Sequence, residues 1–246
     1  MKSFKSLALA SAISVAASGA EAVAPTRATG TGDGVTVILV HGAFAESASW
    51  AGVVPHLAAR GYSVVAAANP LRSVASDAEA VDGLVEQAPG PVVLVGHSYG
   101  GAVISSVHAN PKIKALVYVA AFAPEQGETV LELTGRFPGS TLPDALAAPV
   151  RRAGGGEDLY IRQDAFWQQF AADVAQADAA VMAATQRPVT KAALAEGSAA
   201  PRWPRAAQRR AGRTSRRGSS TATVTATSRP RPCSSWPIAP ARAARW

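Results

Sequence analysis

Residues 92–101 read VVLVGHSYGG. The apolar run Val92-Val93-Leu94-Val95 predicts a strand buried on both faces. It enters Gly96-His97-Ser98-Tyr99-Gly100 directly. Glycines two positions before and two after a serine let a strand bend steeply into a helix, with the serine at the apex in a conformation side chains resist. A chain carrying this junction is committed to an α/β layer with a serine hydroxyl presented at the ends of its strands.

The surrounding pattern supplies that layer. Val35–Val40 is a second buried strand. A helix is expected over about 49–60, with Trp50, Val53, Val54 and Leu57 on one face and Gly61 as its stop. Tyr62–Ala67 is a third strand, and Asn69-Pro70 turns the chain. Ser76 is the expected cap of a helix running to about Gln87, with Val81, Leu84 and Val85 facing inward. Gly90-Pro91 ends it. After the serine turn come a helix over 101–109 and a fourth strand over 115–120. Strand and helix alternating at this rhythm predict a parallel sheet with right-handed crossovers.

Past residue 122 the rhythm changes. Gly and Pro loops are expected to 156. Helical spacing of Phe166, Trp167, Phe170 and Val174 follows, then further helical stretches at 179–185 and 190–196. These predict a helical cap over the carboxyl ends of the strands, with Phe166, Trp167 and Phe170 read as core, the alternative being that they line a substrate pocket. The chain thus divides into a leader over 1–22, a core over 34–124, a cap over 125–196 and a tail over 201–246.

Charge separates the tail from the rest. The net charge is +7, yet 11 of the 24 basic residues and none of the 17 acidic ones lie in 201–246, leaving 13 basic against 17 acidic residues in 1–200. The tail has no usable period and reads as disordered by composition. At the other end, Lys2 and Lys5 precede an apolar stretch from Leu7 to Ala17 and then small residues, the pattern of a cleaved export signal. That stretch is too short and too rich in Ala and Ser for a stable membrane span. A secreted or periplasmic location follows as an expectation. Cys233 is the only cysteine, so no internal disulfide forms.

A serine at such a bend suits acyl transfer. The backbone N–H of Tyr99 is one expected oxyanion donor. A second is expected from the loop after the Val35–Val40 strand, His41-Gly42-Ala43-Phe44, where Gly42 allows close approach. The serine also needs a base. The four histidines are His41, His56, His97 and His108. His41 is read as a turn stabiliser, His97 as pointing away from the hydroxyl, and His56 and His108 as ordinary helix residues. Glu125 is read as a loop charge. The chain therefore reads as a serine hydrolase without its base.

Ile38-Leu39-Val40-His41-Gly42-Ala43, Gly96-His97-Ser98-Tyr99-Gly100-Gly101 and Leu116-Val117-Tyr118-Val119-Ala120-Ala121-Phe122-Ala123-Pro124 together resemble the α/β-hydrolase fold family. The resemblance is to small bacterial esterase-like members, in the branch that includes plant methyl esterases and hydroxynitrile lyases, and it covers about residues 34–200. It implies a parallel-sheet α/β core with a helical cap, here with the C-terminal strands and histidine loop missing. It implies Ser98 as nucleophile between the elbow glycines Gly96 and Gly100, the Ala43 and Tyr99 amides as the oxyanion hole, a small-molecule ester or amide substrate, and no metal or organic cofactor.

The missing base has an expected origin in a shifted reading frame. From about Gly212, codons built from the third base of one residue and the first two of the next can spell ADVPSWFVYGDRD, then IPP, then LQLMADRAGAR. Members of the resembled family carry such a strand and acid loop. The break is expected between about 197 and 212, with the histidine loop lying beyond Trp246. Other readings are a non-catalytic small-molecule-binding protein on the same fold, or hydroxynitrile lyase or perhydrolase chemistry. Contact of the basic tail with nucleic acid or an anionic membrane is disfavoured by the export signal. No oligomeric state follows from the sequence.

Overall fold

Strand β1 (Thr36–Val40) is buried at all five positions. It is an inner strand of a four-stranded parallel sheet, between β2 (Ser63–Ala67) and β3 (Val92–His97), with β4 (Ile113–Val119) beyond β3. A computed structural model describes residues 32, 34–136 and 139–199 of the chain. The leader at 1–22 and the tail at 201–246 lie outside the described residues.

Every sheet pairing is parallel, and the register puts Gly96 opposite Val40 on one side and Tyr118 on the other. The serine turn therefore leaves the sheet at the carboxyl ends of its inner strands. Helix α1 (Val54–Ala58) precedes β2. Helix α2 (Val74–Gln87) follows it, and α3 (Tyr99–Ser106) follows β3. On one face of the sheet, Val81 and Val85 of α2 and Val103 and Ile104 of α3 join Ile38, Val40, Val92 and Leu94 in the main core. On the other face a smaller cluster forms from Val37, Leu39 and Trp50, with Val54, Leu57, Val93 and Val95 against it. That second layer stops short of β4, where Val117 and Val119 are each 37% exposed. Among the described residues β4 pairs only with β3, so its outer edge has no neighbouring strand.

Several local expectations are corrected. The helix expected over 49–60 is a 3-10 turn at Ser47–Trp50 followed by the short α1, with Pro55 in the first helical turn of α1. Proline has no N–H to carry one continuous helix through that point. The cap of α2 is Ser73, whose side chain accepts the Ser76 N–H; Ser76 lies inside the helix. Helix α3 ends at Ser106 because Val107 turns to φ −59°, ψ 141°, so His108 stands outside the helix.

The region expected as loops over 122–156 holds α4 (Val130–Arg136), a 3-10 turn at Leu142–Ala145 and strand β5 (Val150–Arg151). Strand β5 joins β6 (Glu157–Leu159) and β7 (Val189–Thr190) in a small antiparallel sheet. Strands of two or three residues are too short to leave a period in sequence. The expected helices are present as α5 (Gln163–Phe170), α6 (Gln176–Thr185) and α7 (Lys191–Ala195). Phe166 is 1% exposed and belongs to the core, and Phe170 packs edge-on against Phe44, linking this layer to the strand ends.

Replacing Ser73 by Ala is expected to destabilise the protein by about 1 kcal/mol, the usual worth of an N-cap hydroxyl. Chemical denaturation measures this, and Ser76→Ala is expected to cost less.

Candidate active site

Ser98 stands between β3 and α3 with φ 51° and ψ −122°. A serine in that region costs about 1–3 kcal/mol and persists only where its surroundings force it. The forcing contacts are identifiable. A Cβ on Gly96 would lie 2.5 Å from the Gly100 carbonyl oxygen, and a Cβ on Gly100 would strike the carbonyl oxygens of Val40 and His41. The first turn of α3 thus rests directly on the end of β1. A Cβ on Gly42 would come within 2.8 Å of the Ser98 Cβ, so the loop after β1 also abuts the serine.

Ser98, Ala43 and Tyr99 border one cavity of about 400 Å³, within the size range of small-molecule sites. Phe44, Phe122, Val130, Leu142 and Phe170 form much of its wall, and among the described residues Lys191 is its only charged lining residue. Phe44 has φ 61°, which turns the loop after β1 sharply beside the serine. Neither the Ala43 nor the Tyr99 N–H meets a backbone or side-chain acceptor among the described residues. The amino end of α3 points to the same place, a favourable position for developing negative charge.

The histidines lie elsewhere, as expected. His41 is fully buried. Its Nδ1–H donates to the Gly42 carbonyl at 2.9 Å, and its Nε2 accepts the Asn69 N–H at 3.1 Å. Asn69 Nδ2 returns a bond to the His41 carbonyl at 3.1 Å. Both ring nitrogens are occupied in the neutral form. Burial holds the His41 pKa below its ordinary value, and the positive charge of Arg187 acts the same way. His97 has its ring edge-on to Trp50, on the sheet face away from α3, and burial lowers its pKa too. His56 is exposed on α1. His108 is exposed and pairs with Asp82 at 2.6 Å. No histidine nitrogen bonds to Ser98. Glu125 is exposed and its N–H donates to Glu128.

The sequence reading missed two residues. Asp77 lies inside α2, fully buried, and accepts the Tyr99 hydroxyl at 3.0 Å. Burial raises its pKa, opposed by hydrogen bonds from Tyr99 and from the Leu71 and Arg72 backbone. The Tyr99 phenol is likewise pushed up, by burial and by the Asp77 charge. Asn69 was legible only as a turn residue. Helical periodicity marks apolar positions and gives no means of singling out one acid as buried.

Linkage sets opposite pH trends for His41 and Asp77. The unfolded chain takes up a proton on His41 near pH 6.5, while the folded one resists it, so stability is lost as pH falls below 6.5. Asp77 gives up its proton near 3.8 when unfolded and higher when folded, so its contribution falls as pH rises from 3.8 through the raised value. Unfolding free energies at several pH values should show Asp77→Asn removing the second trend and leaving the acid-side loss.

Comparisons with known proteins place this geometry. The Alpha/beta hydrolase family profile matches residues 37–243. A carbendazim hydrolyzing esterase of Nocardioides sp. (strain SG-4G) is 54% identical over 44 residues, a stretch covering 17% of this chain and 18% of that enzyme. The crystal structure of a pyrethroid hydrolase from Sphingobium faniae JZ-2 is similar at TM-score 0.54 and 25% identity, over 71% of this chain and 75% of that one. A methylesterase from Arabidopsis shares the fold at TM-score 0.54 and 17% identity, over 70% and 73% of the two chains. Together with the four-stranded parallel sheet and its flanking helices, the match over residues 37–243 establishes that the chain belongs to the Alpha/beta hydrolase family.

Proposed function

We propose that this chain is an ester hydrolase by descent, with Ser98 as its nucleophile and without a histidine base. The observation that carries the reading is Ser98 held at φ 51° on an apolar cavity that Ala43 and Tyr99 also line. Esterases among the similar proteins support the reaction class. The substrate is an uncharged ester of small or medium size, since the wall is aliphatic and aromatic.

In the reaction, Ser98 Oγ bonds to the ester carbonyl carbon and its proton passes to a base. The carbonyl oxygen becomes an oxyanion that accepts hydrogen bonds from the Ala43 and Tyr99 N–H groups. The C–O bond then breaks, the alcohol leaves with the proton, and water hydrolyses the acyl group from Ser98. Proton transfer is the step this chain is poorly equipped for. Its four histidines are all placed, and none bonds to Ser98. The family match runs to residue 243 across a basic segment that contains no histidine. That segment, with 11 arginines and no acid, is read here as a shifted frame. The leader is read as an export signal, which fits a secreted or periplasmic enzyme.

A retained cavity beside a serine without a base also favours a second reading, a small-molecule-binding protein on the same fold. Hydrolysis of a p-nitrophenyl ester separates the two. This chain is expected to turn over barely faster than its Ser98→Ala variant. Restoring the frame between about 197 and 212 should raise turnover by roughly 10³-fold or more, since loss of a triad member leaves only binding and oxyanion effects. Strong turnover by the unrepaired chain that Ser98→Ala abolishes would contradict the missing base. No turnover after repair, with ligand still bound, would favour the binding protein.

A further inference from the structure

The turn at residues 69–72 is hydrogen-bonded to a neighbour of each candidate oxyanion amide, to His41 on one branch and to Asp77 on the other. Asn69 holds His41 from two sides, through its own N–H on Nε2 and its Nδ2 on the His41 carbonyl. His41 in turn ties back to Gly42, next to Ala43. The Arg72 N–H donates to Asp77 Oδ1 at 3.3 Å, and the other Asp77 oxygen accepts the Tyr99 hydroxyl. One four-residue turn is therefore linked to the loop after β1 through His41 and to the first residue of α3 through Asp77. Between these contacts Leu71 is fully buried with φ 58°, a conformation its neighbours must enforce.

The enforcing contacts come from the layer above. The Arg72 guanidinium donates to Asp158 Oδ1 at 2.6 Å, to the Pro188 carbonyl at 2.6 Å and to the Pro70 carbonyl at 2.9 Å. Thr190 donates its N–H to the Leu71 carbonyl and its hydroxyl to the Arg72 carbonyl, at 3.1 and 2.7 Å. Asp158 and Thr190 are paired with each other across β6 and β7. The Arg72–Asp158 pair is mostly shielded, its side chains 29% and 15% exposed. A charge-assisted bond of this kind holds more firmly than a surface pair.

We propose that residues 69–72 position the oxyanion pocket, Asn69 acting through His41 and Arg72 through Asp77 and Tyr99, and that the Arg72–Asp158 bond makes the pocket's geometry depend on the seating of the β6–β7 sheet. The role rests on Ser98 being the nucleophile; the mechanical coupling does not. A bound substrate that shifts the upper layer thereby reaches both amides through one turn. In this arrangement Asn69, Arg72 and Asp77 are positioning residues and touch no substrate.

Amide hydrogen exchange on the full chain tests the coupling without requiring turnover. Asp158→Asn removes one charge from the upper layer and contacts neither loop. It is expected to raise exchange on the order of tenfold at 41–46 and 98–101, with the 63–67 strand unchanged. Arg72→Lys should act alike, and it serves where the first variant folds poorly. A rise confined to 157–159 and 188–190 would overturn the proposal. So would an equal rise across 36–40, 63–67 and 92–97, which marks general loosening. Failure of Ser98 as nucleophile would appear separately, as ester turnover in the frame-restored protein that Ser98→Ala leaves intact.

Discussion

The contact between the first turn of α3 and the end of β1 governs the rest of the molecule. Gly100 lies so close to the carbonyl oxygens of Val40 and His41 that no side chain fits there, and Gly96 is closed in the same way by the Gly100 carbonyl. That closeness forces Ser98 to φ 51° and turns the chain abruptly from strand to helix. The strain is sustained by burial on both sides. Tyr99, Gly100 and Gly101 are all buried behind it, and Val40 and His41 are fully buried in front. Loosening either partner would let the serine relax to an ordinary backbone conformation and withdraw its hydroxyl from the cavity.

The polar groups behind the serine extend this constraint. His41 and Asp77 are buried ionisable residues with no ion-pair partner among the described residues. Each is instead satisfied by hydrogen bonds from the 69–72 turn or its neighbours. A buried polar network of this sort specifies one arrangement because any lapse leaves a donor or acceptor without water. The network spans the core, the loop after β1 and the layer above. It gives the site rigidity where rigidity serves charge stabilisation.

Much of the fold was legible in the residue pattern. The four parallel strands announce themselves as β-branched and leucine runs, and α2 as an amphipathic stripe bounded by Gly90-Pro91. The steep turn at Ser98 follows from glycine spacing, and the close approach of the loop after β1 from Gly42. What was not legible depends on tertiary contact. Pro55 splits an otherwise plausible long helix, and either Ser73 or Ser76 fits the cap pattern until the Ser73 side chain is seen to accept the Ser76 N–H. The β5–β6–β7 sheet is built from strands too brief to show a period. The burial of Asp77 and the clamping of His41 by Asn69 exist only once α2, α3 and the 69–72 turn are together. The cavity wall draws on α4, α5 and α7, elements distant in sequence from the serine they enclose.

The proposal at the centre of this account is that the bend presents an accessible alcohol next to hydrogen-bond donors, without a histidine base. Intact-mass and peptide mapping of the protein after exposure to an alkyl phosphonofluoridate addresses it most directly. A single adduct at Ser98, formed slowly and faster when imidazole is added, is the expected result. No adduct at Ser98, or labelling no different from that of surface serines such as Ser49, would contradict it.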